Sequence, residues 1–206
     1  MISLADLSDQ ATRSRLIAAV AERVIAHTDE LTALDSAIGD GDHGHNMKRG
    51  FDAVLASLDS LSEMAPAELL KSLGMKLVST VGGASGPLYG TLFMALGKAW
   101  PQNLAQASLA AAFEQAIAAV KARGKSEIGQ KTLLDVLAPT LKAFQEGADA
   151  EGIAETARSA AEATAPLRAT RGRASFLGER SIGHVDPGAR SAALIITALC
   201  EEGSRN

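Results

Sequence analysis

Apolar positions along this chain recur at intervals of three and four residues. Between Thr12 and His27, Leu16, Ile17, Val20, Val24 and Ile25 fall at helical spacing, while Arg13, Arg15, Glu22 and Arg23 occupy other faces. That pattern predicts an amphipathic helix with one buried stripe. Comparable stretches follow near 46–62, 67–80, 87–99, 106–122, 132–146, 151–165 and 188–201. No segment shows the period-two alternation of a half-buried strand. The breaks carry expected punctuation: Pro66 near a start, Trp100-Pro101 at an end, and Gly147 before an acidic turn. Short connectors imply antiparallel neighbours, so the expectation is an all-α fold forming one domain over 1–206.

Composition supports that picture. Hydrophobic residues make up 47 % of the 206 positions but aromatics only 3 %, and the apolar content is mostly Ala and Leu, which favours helices over strands. A net charge of −4 with one Trp and one Tyr gives neither the basic surface nor the stacking platforms of a nucleic-acid binder. No apolar run approaches the roughly 20 residues of a membrane span. The start MISLADLSDQ has no basic n-region or apolar h-region, so the expected location is the cytoplasm. Cys200 is the only cysteine, which excludes an internal disulfide and a cysteine-built zinc cage. Among Ile195, Ile196 and Leu199 it reads as core packing.

Glycine gathers in four places, Gly39–Gly44, Gly82–Gly86, Gly124–Gly129 and Gly172–Gly188, where backbone amides can approach a ligand closely. In LDSAIGDGDHGHN, Asp35, Asp40 and Asp42 lie within eight residues, and the glycines at 39, 41 and 44 are expected to prevent a continuous helix. Three ionised groups held together repel one another unless a cation is present, and hard oxygen donors select magnesium, calcium or manganese. GDGDHG formally matches G-x-G-x-x-G, but no strand pattern precedes it and two Asp would repel a pyrophosphate. An EF-hand fails too, because His45 stands where Gly is required and Phe51 where the bidentate Glu belongs. What fits is a metal site with few protein ligands, its shell completed by phosphate oxygens; the plainer alternative is a solvated acidic turn capping the next helix. His43 and His45 either cap that helix or, for His43, touch ligand.

VGGASGPLYGT leads from a helix through Gly82–Gly86 into Pro87, a favoured first helical residue, and so predicts a helix N-terminus with exposed amides and the Ser85 hydroxyl. It is not a Walker A loop, since no Gly-Lys-Ser/Thr follows at the required spacing. Arg173 offers a bidentate contact to phosphate or, alternatively, a surface salt bridge. Asp186 reads as the N-cap of the last helix with Pro187 at its first position. Lys125 and Lys131 read as solvated charges.

Taken in order, GDGDHG, GGASGPLYGT, GQKTLLDVLAP and GRASFLGERSIGHVDPGA resemble the L subunit of the dihydroxyacetone kinases across nearly the whole chain. The resemblance implies a barrel of eight antiparallel helices whose loops at one end hold ADP or ATP through two magnesium ions. On it, Asp35, Asp40 and Asp42 match the metal-binding acids. His43, Gly44, His45, Asn46, Ala84, Ser85, Gly124, Arg173, Asp186, Pro187 and Gly188 fall at nucleotide-contacting positions, with Arg173 also the catalytic candidate. One departure is Gln130, where the family commonly reads Asp. Family members work with a separate K subunit that presents a small ketose, and many take phosphate from a phosphotransferase-system protein. The implied activity is phosphoryl transfer to dihydroxyacetone or another short ketose such as erythrulose. The rival reading is a helical adaptor that binds metal or nucleotide for regulation.

Overall fold

Asp9 opens the first helix by accepting the Thr12 N–H at 2.8 Å, and Asp149 and Asp186 open two later ones the same way, on Gly152 and Ala189. The computed structural model describes residue 7 and residues 9–205, so most of MISLADLSDQ, and the expectation drawn from it, lies outside the described residues. Helices α1 (Gln10–Ala26), α2 (Thr28–Ile38), α3 (His43–Leu55), α4 (Leu58–Glu63) and α5 (Pro66–Thr80) form the first half. The second half holds α6 (Ser85–Lys98), α7 (Gln106–Gly124), α8 (Leu134–Gln145), α9 (Ala150–Glu162), a 3₁₀ segment (Arg173–Ser181) and α10 (Pro187–Gly203).

Eight of these pack in a ring. Going round it, α1 meets α3, α3 meets α5, and α5 to α10 follow in sequence until α10 returns to α1. Arg15 near the start of α1 pairs with Glu202 at the end of α10 (3.7 Å), while Arg190 at the start of α10 reaches Glu30 just past α1 (2.6 Å). The two helices therefore run in opposite directions. The interior is filled by Val24, Met47, Phe51, Leu77, Tyr89, Val120, Leu134 and Leu137, each no more than 2 % exposed. Small residues set the closest approaches. A Cβ on Gly74 of α5 would stand 2.7 Å from the Gly90 carbonyl of α6, and one on Gly90 would stand 2.8 Å from that of Gly74. On α9 the buried Ala154, Ala157 and Ala161 form a second row of small residues, and this helix packs on α8 and α10.

The eight expected helices are present, with differences at the ends. Helix α2 fills a segment where spacing predicts none, because its buried face (Thr28, Leu31, Asp35, Ile38) mixes acid and hydroxyl into the apolar stripe. The stretch 46–62 is two helices, parted at Ala56–Ser57, and the first begins at His43. Gly44 therefore sits inside α3, where its missing Cβ lets the helix press on the Thr28 carbonyl and Thr32 of α2. Helix α6 begins at Ser85, two residues before Pro87. Asp186 and Pro187 are N-cap and first residue of α10. Cys200 is only half-buried, and burial pushes its thiol up to about 11.

Candidate functional site

Asp35 stands in the last turn of α2, buried, and Asp40 and Asp42 stand exposed on the turn that follows. Gly41, at φ +73°, supplies the left-handed step that tightens this turn. One carboxylate oxygen from each acid can be chosen so that all three lie within 4.8 Å of one another. Asp35 is fixed by the backbone: its Oδ2 accepts the Asp42 N–H (2.8 Å) and the His43 N–H (3.1 Å), so it caps α3 from the preceding helix. The expected capping role thus falls to Asp35, since Asp42 makes no side-chain cap. Arg173 Nε rests on Asp40 Oδ2 at 3.0 Å with its side chain 68 % exposed, so the phosphate-binding candidate is also a salt bridge onto the acidic cluster.

Beside these acids lies a cleft of about 510 Å³. Its walls include the first turns of three helices, at His43 of α3, Ser85 of α6 and Pro187 of α10, and the entry to α8 at Thr132–Leu133. Each such end carries the positive pole of a helix dipole, and at α6 the Ser85 and Gly86 N–H groups have no intrahelical partner, so the cleft favours an anion. The back wall is a hydrogen-bonded chain. Ser85 Oγ lies 3.0 Å from His43 Nδ1, His43 Nε2 lies 3.0 Å from Ser191 Oγ, and Ser191 Oγ lies 2.6 Å from the Tyr89 hydroxyl. Tyr89 donates onward to the Gly188 carbonyl at 3.2 Å. Burial pushes the His43 pKa down against the pull of Asp35 and Asp42, which keeps a neutral ring with one donor and one acceptor for the two hydroxyls. Burial likewise pushes the Tyr89 phenol up.

The far wall comes from 124–133 and from the α9–α10 connection. Gln130, the departure from the family pattern, uses its side-chain carbonyl to accept the Glu127 N–H (2.9 Å) and Arg171 Nε (3.2 Å). Asp135 holds the entry to α8 by accepting the Thr132 N–H at 2.7 Å. Asp186 is buried; desolvation pushes it up to about 7, against its bond from Ala189 and the attraction of Lys131. Lys131 is the main correction: expected in solvent, it is 1 % exposed and its ammonium is engaged by backbone carbonyls.

Of the residues singled out from the sequence, Asp35, Asp40, Asp42, His43, Asn46, Ala84, Ser85, Gly124, Arg173, Asp186, Pro187 and Gly188 line this one cleft. Gly44 and His45 do not; Gly44 is buried against α2 and His45 faces outward. Tyr89, Ser191, Arg123 and Arg171 are members or supports of the cleft that the sequence does not single out, and Lys131 lines it although it reads from the sequence as a solvated charge. Only the order G-Q-K-T hinted at Lys131.

This ring of helices, with the cleft at one end, matches part of a solved dihydroxyacetone kinase. The crystal structure of the C. freundii enzyme in complex with AMP-PNP and Mg2+ matches it at a TM-score of 0.75 with 25 % identity, covering 93 % of this chain and 34 % of that one. This chain thus spans about a third of that protein. The DAK2 domain model matches residues 37–201, and the chain belongs to that family. It is 44 % identical to the ADP-binding subunit DhaL of PEP-dependent dihydroxyacetone kinase 1 from Listeria innocua, over 87 % of this chain and 90 % of the relative. The corresponding Escherichia coli subunit is 41 % identical, over 84 % and 87 %.

Proposed function

We propose that this chain is the nucleotide-binding subunit of a dihydroxyacetone kinase, passing a phosphoryl group from bound nucleotide to a short ketose held by a partner K subunit. The observation that carries the reading is the convergence of three carboxylates with three helix N-termini and a serine hydroxyl on one cleft. Asp35, Asp40 and Asp42 are hard oxygen donors without a Cys among them, and they fit magnesium; two ions are proposed. When bound, magnesium supplies the positive charge that neutralises and orients nucleotide phosphates. The Ser85 hydroxyl and the first amides of α6 would hold phosphate oxygens, the Asp186-Pro187-Gly188 turn would face the nucleotide, and Gly124 and Asn46 would border the nucleoside. Arg173 would stabilise charge on the transferring group, for which positioning and electrostatics suffice.

Two relatives are named ADP-binding subunits of PEP-dependent kinases and a third, from Lactococcus lactis, of a PTS-dependent one, which supports ADP as the resident nucleotide and a phosphotransferase-system protein as its phosphoryl donor. Dihydroxyacetone is the first acceptor and erythrulose the second. The cleft's polar groups are taken up by acids, phosphate-facing amides and their supports, which leaves the ketose to another surface.

The test is a coupled assay of the purified chain with dihydroxyacetone, ATP and magnesium, with and without a matching K subunit. Turnover is expected only with the partner, and mass spectrometry of the gently purified chain should find retained ADP. Robust turnover by the chain alone would overturn the two-subunit reading, and no affinity for magnesium nucleotide would leave the regulatory adaptor. In the same assay Arg173→Lys, which keeps charge but loses the planar fork, should slow single-turnover transfer about 10-fold or more while binding changes less. Unimpaired transfer would return Arg173 to the surface.

A further inference from the structure

Lys131 sits in the left-handed region at φ +63°, a conformation that a non-glycine residue keeps only when its surroundings hold it there. Its Nζ lies within hydrogen-bond distance of five backbone carbonyls: Thr164 (3.0 Å), Ala165 (3.2 Å), Leu167 (3.0 Å), Ser181 (2.8 Å) and His184 (2.6 Å). An ammonium has three N–H groups, so it shares them among the five. Three of those carbonyls follow the end of α9, and two lie at and just beyond the end of the 3₁₀ segment. They are the two feet of a hoop, residues 164–184, whose crown carries Arg173 over Asp40.

Other ties also hold the hoop: Ala169 and Ala174 are buried with Ile38 of α2, with Leu177 packed on them, and the Asp186 N–H donates to Thr164 Oγ1 at 2.9 Å. Gly183 N–H donates to the Ala165 carbonyl (2.8 Å), Ala169 N–H donates to Ser181 Oγ (2.9 Å), and Arg171 leans on Gln130. On the crown Ala174 is buried, while Phe176 is 88 % open to solvent. Without the ammonium, five carbonyls would face one another around an empty centre and repel. Asp186 faces the ammonium as a counter-charge, and burial still pulls the lysine pKa down.

We propose that Lys131 is a positioning residue: a tethered cation that draws the feet of the 164–184 hoop together and thereby fixes where Arg173 stands over the acidic cluster. The kinetic part of this rests on the phosphoryl-transfer reading; the structural part does not.

Lys131→Met keeps the bulk and removes the charge. In hydrogen exchange of the intact chain, the amides of Ala169 and Gly183 should exchange about 10-fold faster or more while α1 to α8 keep their protection. Single-turnover transfer with the partner should fall to the level of Arg173→Ala, and Lys131→Met/Arg173→Ala should be no slower than Arg173→Ala alone, within about twofold. A merely structural lysine would lower the melting temperature and multiply with Arg173→Ala. Unchanged exchange in the hoop, or multiplicative losses, would overturn the proposal.

If Lys131→Met does not fold, Lys131→Cys in a Cys200→Ser background can be alkylated while unfolded. Bromoethylamine restores an ammonium at lysine's reach, and iodoacetamide leaves a neutral amide. Protection should return with the first and not the second; equal protection overturns the proposal. If the unmodified chain transfers no phosphoryl group with any partner, the functional reading fails and hoop exchange still decides the role of Lys131.

Discussion

Asp35 and its two companions separate cleanly as residues because only one of them holds the backbone. Asp40→Asn or Asp42→Asn should abolish magnesium-dependent ADP binding in calorimetry and leave the melting temperature of the ligand-free chain unchanged, since both side chains are exposed. Asp35→Ala should do both kinds of damage, losing binding and about 1 kcal/mol of stability with the cap on the Asp42 and His43 amides. Unchanged ADP affinity in the first pair would remove the metal assignment. Asp186 gives a pH signature. Its folded pKa of about 7 lies above the ordinary 3.8, so the folded chain holds the proton more tightly than the unfolded one. The stability this contributes is complete below about pH 4 and is lost as pH rises to about 7. Asp186→Asn keeps the cap acceptor without titrating beside Lys131 and Asp135, so between about pH 5 and pH 8 its melting temperature should fall less than the parent's. Parallel curves would show that Asp186 does not titrate there. The acids were legible in the sequence because glycine spacing announces a turn. Lys131 was not, because a lysine after glycine and glutamine looks the same in water as among carbonyls supplied from residues 33 to 53 positions away.

At the scale of elements, the sequence showed helices wherever apolar spacing was uninterrupted and lost them where function intrudes. Helix α2 was missed because the buried stripe includes Asp35, and the break between α3 and α4 was missed because Leu58 and Leu61 continue the apolar spacing across it. The sequence places the start of α6 late because Pro87 suits a first position but also tolerates the third, where its absent N–H is still one of the first four without an intrahelical partner. Tight pairing of α5 with α6 makes a prediction that belongs to the elements alone. Gly74→Ala would bring a methyl to 2.7 Å from the Gly90 carbonyl and against Met94, so it should cost about 1–3 kcal/mol by forcing the helices apart. Neither glycine borders the cleft, so the folded fraction should bind magnesium ADP normally. Thermal unfolding with ligand titration checks both halves; an unchanged melting temperature would mean the pair has slack.

For the whole molecule, four connections surround the cleft: 39–42 joins α2 to α3, and 81–84, 125–133 and 163–186 each join helices that are neighbours in the ring. Beside Arg173 the exposed Phe176 is the apolar feature on the crown of the hoop. Phe176→Ser should weaken activation by a K subunit about 10-fold or more while leaving nucleotide affinity intact, since a buried aromatic anchor is worth at least that at an interface; equal activation in a titration of partner would place docking elsewhere. The closing contact of the ring bears on how far the order of the chain matters. Helices α1 and α10 lie side by side and antiparallel, so the end of α10 is beside the start of α1. The connection 99–105 lies one α6 length, roughly 20 Å, from the cleft. A circular permutant opened at Gln102, with a flexible linker joining the old ends, should therefore still fold and bind ADP, because every cleft-forming hairpin survives intact and only the seam of the ring has moved.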